Sequence, residues 1–268
     1  MNIGRFFFEL DSMYANRDQT EKIENFLKGS LSYAQCEGDL ASAVSISNEM
    51  GGFYRVNGRF SDGERVLKTA LGYISDIGMD GTPDHATTLI NLATLLTHKG
   101  DIREAVESFE AASDILTSSG TDKSYTAAAL ENNIASLYLK MGEYQNGLLH
   151  TERALVLLEG ACDKGDEQGV TYTIAAQIML SMGEYDAAEE KLTIARQKFD
   201  SDSEASPLHR ATMEHCLAEV FIRKERFDEA LSACERGIER LESCAVRSPA
   251  TALLRERREL CLSMLEEK

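Results

Sequence analysis

The sequence predicts an all-α protein, a solenoid of about five stacked helical hairpins, and three observations carry that prediction. A marker recurs every 41 or 42 residues, apolar residues recur three and four apart within each unit, and the three prolines fall only between units.

The period comes first. Gly58, Gly100 and Gly142 are 42 apart, Gly183 follows after 41, and Glu225 takes the same place 42 further on. Two residues after each marker stands an aromatic or an isoleucine (Phe60, Ile102, Tyr144, Tyr185, Phe227). Three further on comes a small residue (Gly63, Ala105, Gly147, Ala188, Ala230), and seven beyond that another (Ala70, Ala112, Ala154, Ala195, Gly237). Self-similarity at this period means stacked supersecondary units, each contacting its neighbours.

Helical spacing supplies the units. Before Gly100, Leu89, Leu92, Ala93 and Leu96 make one apolar stripe, and after it Ile102, Ala105, Phe109, Ala112 and Ile115 make another. A glycine turn between two amphipathic helices is a helical hairpin. Gly51, Ala93, Ala135, Ala176 and Ala218 remove bulk where helices approach, and the larger residue three later (Tyr54, Leu96, Tyr138, Met179, Phe221) fills the adjoining gap. On this reading Tyr138→Ala costs roughly 3–5 kcal/mol, as buried aromatic truncations do.

Pro83, Pro207 and Pro249 are in phase with the repeat and open the first turn of the following helix. The polar links GMDGTPD, GTDKS, GACDKGDEQG and SDSEASP separate the hairpins. The resulting division is a degenerate N-terminal helical pair at 1–38, five repeats at 39–80, 81–122, 123–164, 165–206 and 207–246, and a capping helix at 247–268, all in one continuous domain. In the N-terminal pair the apolar residues are Phe7, Leu10 and Tyr14 on one helix and Ile23, Phe26, Leu27 and Leu31 on the next. In the cap, Leu253, Leu254, Leu260, Cys261 and Leu265 cover the last hydrophobic face and Arg255, Arg257 and Arg258 point outward.

Composition narrows the function. The net charge is −17, from 45 acids against 28 bases, which argues against nucleic-acid phosphate as partner. No stretch is apolar enough for a membrane span, and the Phe6–Phe7–Phe8 run, followed by Glu9 and Asp11, is too short for a signal. That run reads as a helix packed on the first hairpin, with an association surface as the alternative. Homodimerisation through the terminal helices is the form of self-association it would allow. The six cysteines (Cys36, Cys162, Cys216, Cys234, Cys244, Cys261) lack zinc-ligand spacing and read as free thiols in a reducing, cytoplasmic compartment. The five histidines (His85, His98, His150, His209, His215) form no HExxH or i,i+4 pair. No GxSxG, P-loop or GxGxxG occurs, so no catalytic residue, metal or cofactor is expected.

The segment ALENNIASLYLKMGEYQNGLLHTERALVLLE (129–159) and its neighbour TTLINLATLLTHKGDIREAVESFEAASDIL, with its connector PDHAT, resemble tetratricopeptide repeats. They are similar to the 42-residue variety of kinesin light chains and related peptide-binding adaptors, over about residues 40–245. The resemblance implies a right-handed α-solenoid whose first helices line a concave groove that binds extended peptides. It places Asn48 and Glu49, Ile90 and Asn91, Asn132 and Asn133, Thr173 and Ile174, and His215 and Cys216 toward that groove. An amide offers both donor and acceptor, so Asn91 and Asn133, with Asn48 and Asn132, are candidates to clamp a peptide backbone, or else to tie adjacent helices together. Asn133→Ala should then weaken the partner and spare the fold. Arg55, His98, Lys140 and Arg223 lie near the helix C-termini, where the helix dipole alone favours cations, and could instead meet carboxylates of a partner. The implied function is a non-catalytic adaptor holding an extended segment of another protein. The alternatives are a peptide-sensing regulator acting through a separate effector and a helical-repeat enzyme.

Overall fold

The computed structural model describes residues 1–16, 18–159, 165–243 and 249–266. Among them are thirteen α-helices and no strand. Cys162 and Cys244 lie outside the described residues. The chain forms two compact units, Met1–Asn133 and Ile134–Lys268.

In the first unit α1 (Ile3–Ala15) and α2 (Thr20–Cys36) precede two hairpins, α3 (Leu40–Val56) with α4 (Phe60–Asp76) and α5 (Pro83–Lys99) with α6 (Ile102–Ser118). The helix α7 (Tyr125–Met141) leads to α8 (Tyr144–Leu157). The second unit continues with α9 (Gly165–Met182), α10 (Tyr185–Asp200), α11 (Pro207–Arg223), α12 (Phe227–Ser243) and α13 (Pro249–Glu266). From α1 to α6, and again from α8 to α13, each helix packs on the next in sequence. The first helices of successive hairpins also touch, α3 with α5 and α9 with α11, which makes them an inner layer within each unit.

The repeat markers do the work assigned to them. Gly100 sits at φ 98° and ends α5, where its missing Cβ removes the steric cost of a left-handed backbone. Glu225 adopts the same region at φ 56°, so the last turn carries a cost of roughly 1–2 kcal/mol that glycine avoids. The aromatic or isoleucine after each marker is the first residue of α4, α6, α8, α10 and α12. Gly63, Ala105, Gly147, Ala188 and Ala230 are all buried. A Cβ on Gly63 would come within 2.3 Å of Leu95. A cation at the turn also stacks on the aromatic ending the first helix, Arg59 over Tyr54 at 4.6 Å and Arg226 over Phe221 at 4.5 Å.

Four expectations are corrected. The connector GACDKGDEQG is helical from Gly165 onward, because Gly165 and Gly169 let α9 approach α10: a Cβ would meet the Lys198 carbonyl at 2.6 Å and the Phe199 ring at 2.6 Å. On α1 the buried pair is Phe6 and Leu10, with Phe6 stacked on Phe26, while Phe7 is half-buried and Tyr14 exposed. The stripe is therefore rotated by one residue. Among the gap-fillers Tyr54, Leu96 and Phe221 are buried, whereas Tyr138 and Met179 are only half-buried. Tyr138 stacks on His150 at 5.2 Å instead, so its truncation leaves a smaller cavity than full burial implies. On α13, Leu254 and Cys261 are buried but Leu253 and Leu260 are exposed. Arg257 lies inward, with Glu219 of α11 3.0 Å away. Cys216 and Cys234 are buried as small hydrophobes, and Cys36 is exposed.

Candidate functional site

The first helices bury every side except one, and that open side is where the candidate residues fall. On α3, Ser45, Asn48, Glu49, Gly52 and Arg55 escape full burial, while Ser42, Ala43, Ile46, Ser47, Met50, Phe53 and Tyr54 are buried. At 100° per residue the first group occupies one arc of the helix.

Two of the four candidate asparagines are brought together. The Asn91 Nδ2 donates to Asn48 Oδ1 at 3.1 Å, and Asn48 Nδ2 donates to the Thr88 hydroxyl at 3.1 Å, which in turn donates to the Asp84 carbonyl. The chain ties α3 to α5 at the edge of the open face, in a half-buried setting. Thr88 was not singled out from sequence; its place three before Asn91 on a helix is the signal that could have found it. The pairing leaves Asn91 Oδ1 without a partner among the described residues, so the amide edge retains acceptor capacity. Asn132 is buried and Asn133 half-buried on α7.

The candidate cations have different settings. Arg55 is half-buried, burial pulls its pKa down, and it pairs with no carboxylate among the described residues. His98 is exposed and its ring stacks on Phe60 at 6.5 Å. Lys140 is exposed at the end of α7, and partial desolvation lowers its pKa. Arg223 is held by Glu219 at 2.9 Å, and that hydrogen bond raises its pKa. His98, Lys140 and Arg223 occupy one position of the repeat, and Arg55 precedes it by one. His215 is half-buried with Nε2 lacking a hydrogen-bond partner. Burial, then the charge of Arg257, pulls its pKa down and keeps the ring neutral.

At the α1 edge of the open arc, Glu49 is half-buried and its pKa is raised by burial and then by Asp11. Partial desolvation, then the carboxylates of Glu49 and Asp11, pushes the Tyr14 phenol up to about 12, although nearly half of the side chain stays exposed. In the second unit, Gln177 of α9 donates Nε2 to Cys216 Sγ of α11 at 3.2 Å, an amide tie between first helices like that of Asn91 and Asn48. Burial pushes the Cys216 thiol up to about 11, which makes it a poor nucleophile. Together these groups can hydrogen-bond and ion-pair with an extended chain.

Residues 40–118 match the family model described as tetratricopeptide repeat. No curated protein matches the chain by sequence. Among solved structures, NprR in complex with its cognate peptide NprX is similar over 100% of this chain and 78% of its own, at 18% identity and a TM-score of 0.68. The apo form of the quorum sensor NprR from B. thuringiensis covers 96% of this chain and 68% of its own, at 17% identity and 0.64. BtubC (BKLC) from P. vanneervenii covers 86% and 94%, at 18% identity and 0.66. At these identities the likeness is one of fold.

Proposed function

We propose that this chain, whose hairpins are tetratricopeptide repeats, is a non-catalytic adaptor that holds an extended segment of a partner protein along the open face of its first helices. The observation that carries this reading is the polar edge of α3 and α5. Asn48 and Asn91 stand side by side on a face left open by the packing, with acceptor capacity left unused among the described residues. An amide row of this kind recognises peptide backbone whatever its sequence, and side chains around it set selectivity. Among the described residues no helix is long and apolar enough to cross a membrane, and the acidic balance disfavours nucleic acid as the ligand. The partner is then another protein or a peptide, met in the cytoplasm.

A second reading is favoured by one comparison. NprR, whose fold extends over the whole of this chain, is seen with a peptide. A peptide-sensing regulator acting through a separate effector would use the same face.

Affinity capture from lysate of the source cell tests the first reading, comparing wild type with Asn91→Ala/Asn133→Ala after circular dichroism shows matched folding. A partner retained by wild type and lost by the double variant is the expected result. A partner that survives the substitutions places the interface elsewhere, on the outer helices or at the Phe6–Phe8 end.

A further inference from the structure

We propose that the outward face of α8 is a self-association surface, on which a second copy of this chain packs its own α8 side by side and in the same direction about a two-fold axis.

The apolar pair comes first. Leu149 and Val156 stand one heptad apart on α8 and are 45% and 64% exposed. Seven and fourteen residues after their own repeat markers, the other second helices carry Arg65 and Gly72, Glu107 and Asp114, Glu190 and Gln197, and Ser232 and Glu239, all exposed. The fold turns these two positions to solvent in every repeat, and only α8 fills both with branched aliphatics. Single exposed apolar residues are ordinary on a protein surface, whereas two aligned on one helix leave a stripe that gains from being covered. The inward side of α8 is already closed through Gly147, Thr151 and Ala154, so the stripe has no place in the core of its own chain.

The charges select the occupant. Glu152 and Arg153 lie between the two aliphatics, are exposed, and pair with no opposite charge among the described residues. At 100° per residue they flank the Leu149–Val156 line by about 50°, one on each side. When two parallel helices are related by a two-fold axis along their length, the left flank of one meets the right flank of the other. Glu152 then faces Arg153 of the second copy and Arg153 faces its Glu152, while Leu149 meets Leu149 and Val156 meets Val156. In an antiparallel pair each flank meets its own counterpart, which sets Glu152 against Glu152 and Arg153 against Arg153. Opposite charges favour the first arrangement and like charges disfavour the second. The face is complementary to itself, as an isologous interface requires. A contact confined to one fourteen-residue helix is small, below about 1,200 Å² in total, so the pair forms weakly and reversibly.

Sedimentation velocity of the full chain, from about 2 to 200 μM, should show a dimer that grows with concentration. Leu149→Glu/Val156→Glu should weaken it at least about tenfold without loss of helicity, because both side chains already face water. Glu152→Arg and Arg153→Glu should each weaken it alone, and an equimolar mixture of the two should restore it, since opposite charges then meet on both flanks. With Cys36, Cys162 and Cys244 changed to serine, Leu149→Cys alone and Val156→Cys alone should each give a disulfide-linked dimer under mild oxidation. Cross-linking only when those two variants are mixed would mean antiparallel helices and overturn the assignment. A wild type that stays monomeric throughout also overturns it. So does a dimer that ignores Leu149→Glu/Val156→Glu and is lost with Phe8→Ser, which places the contact on α1. Each of these outcomes leaves the peptide-holding reading untouched, because α8 is not one of the first helices.

Discussion

At the inward position that Ser47 and Leu89 occupy in the first unit, Glu214 stands in the second, fully buried between Arg196 of α10 and Arg236 of α12. Arg196 Nη2 is 3.1 Å and Arg236 Nη2 2.9 Å from Glu214 Oε2. The first unit keeps this level of its core free of charge and puts its polar chemistry at the open edge, in the Asn91–Asn48–Thr88 chain. The second spends polar groups on its own cohesion: Glu214 with two arginines, Gln177 with Cys216, and Glu219 with Arg223 and Arg257. The same repeat geometry thus accepts either solution. What differs is that the second unit buries a carboxylate between two arginines where the first buries Ser47 and Leu89.

The comparison can be broken most forcefully at Glu214. Arg196→Ala/Arg236→Ala should cost about 3–5 kcal/mol, because it strands a buried carboxylate, whereas Glu214→Leu should be close to neutral, its arginines being free to turn to water. Urea melts of both variants decide this. Equal, small losses would mean that the triad is not holding the second unit together.

The first unit offers a smaller test. Asn48→Ala removes the acceptor of Asn91 and the donor to Thr88, and in a half-buried setting it should cost about 1 kcal/mol. A loss above about 3 kcal/mol would make the amide chain as structural as the Glu214 triad and erase the contrast.

The smallest effect concerns pH and belongs to the second unit. The folded-state pKa of His215 is depressed by burial and by Arg257, so the unfolded chain binds its proton more readily. Its contribution is complete above the ordinary histidine value of about 6.5 and is lost as pH falls through that value toward the folded pKa. Thermal melts between pH 7.5 and 5 should show wild type losing more stability than His215→Gln. Parallel curves would remove the buried neutral ring from the account.

Much of the fold was legible because its signals are local and repeated. A left-handed turn wants glycine, close helix contact wants alanine, and each constraint recurs at a fixed interval, so five weak instances make one strong pattern. Legibility failed where two helices from distant sequence meet. Gly165 and Gly169 look like linker residues until Phe199 is laid against them. Phe6, Phe7 and Phe8 are chemically alike, and only packing on Phe26 selects Phe6. The candidate site divides the same way: the asparagines could be named from their repeat position, but not their bond to each other or the part of Thr88.

By itself, then, the sequence determined the helical hairpins, their number and turns, the acidic balance, and the helices that carry the candidate polar residues. These follow from periodicity and from backbone preferences confined to a few neighbouring residues. Only the tertiary structure decided that Arg55 is half-buried without a partner while Arg257 is paired, that Gly52 is open while Gly51 is packed, and that Glu214 sits inside a charge triad. Burial and pairing depend on what another helix brings within about 4 Å, and residue type at one position carries no record of that.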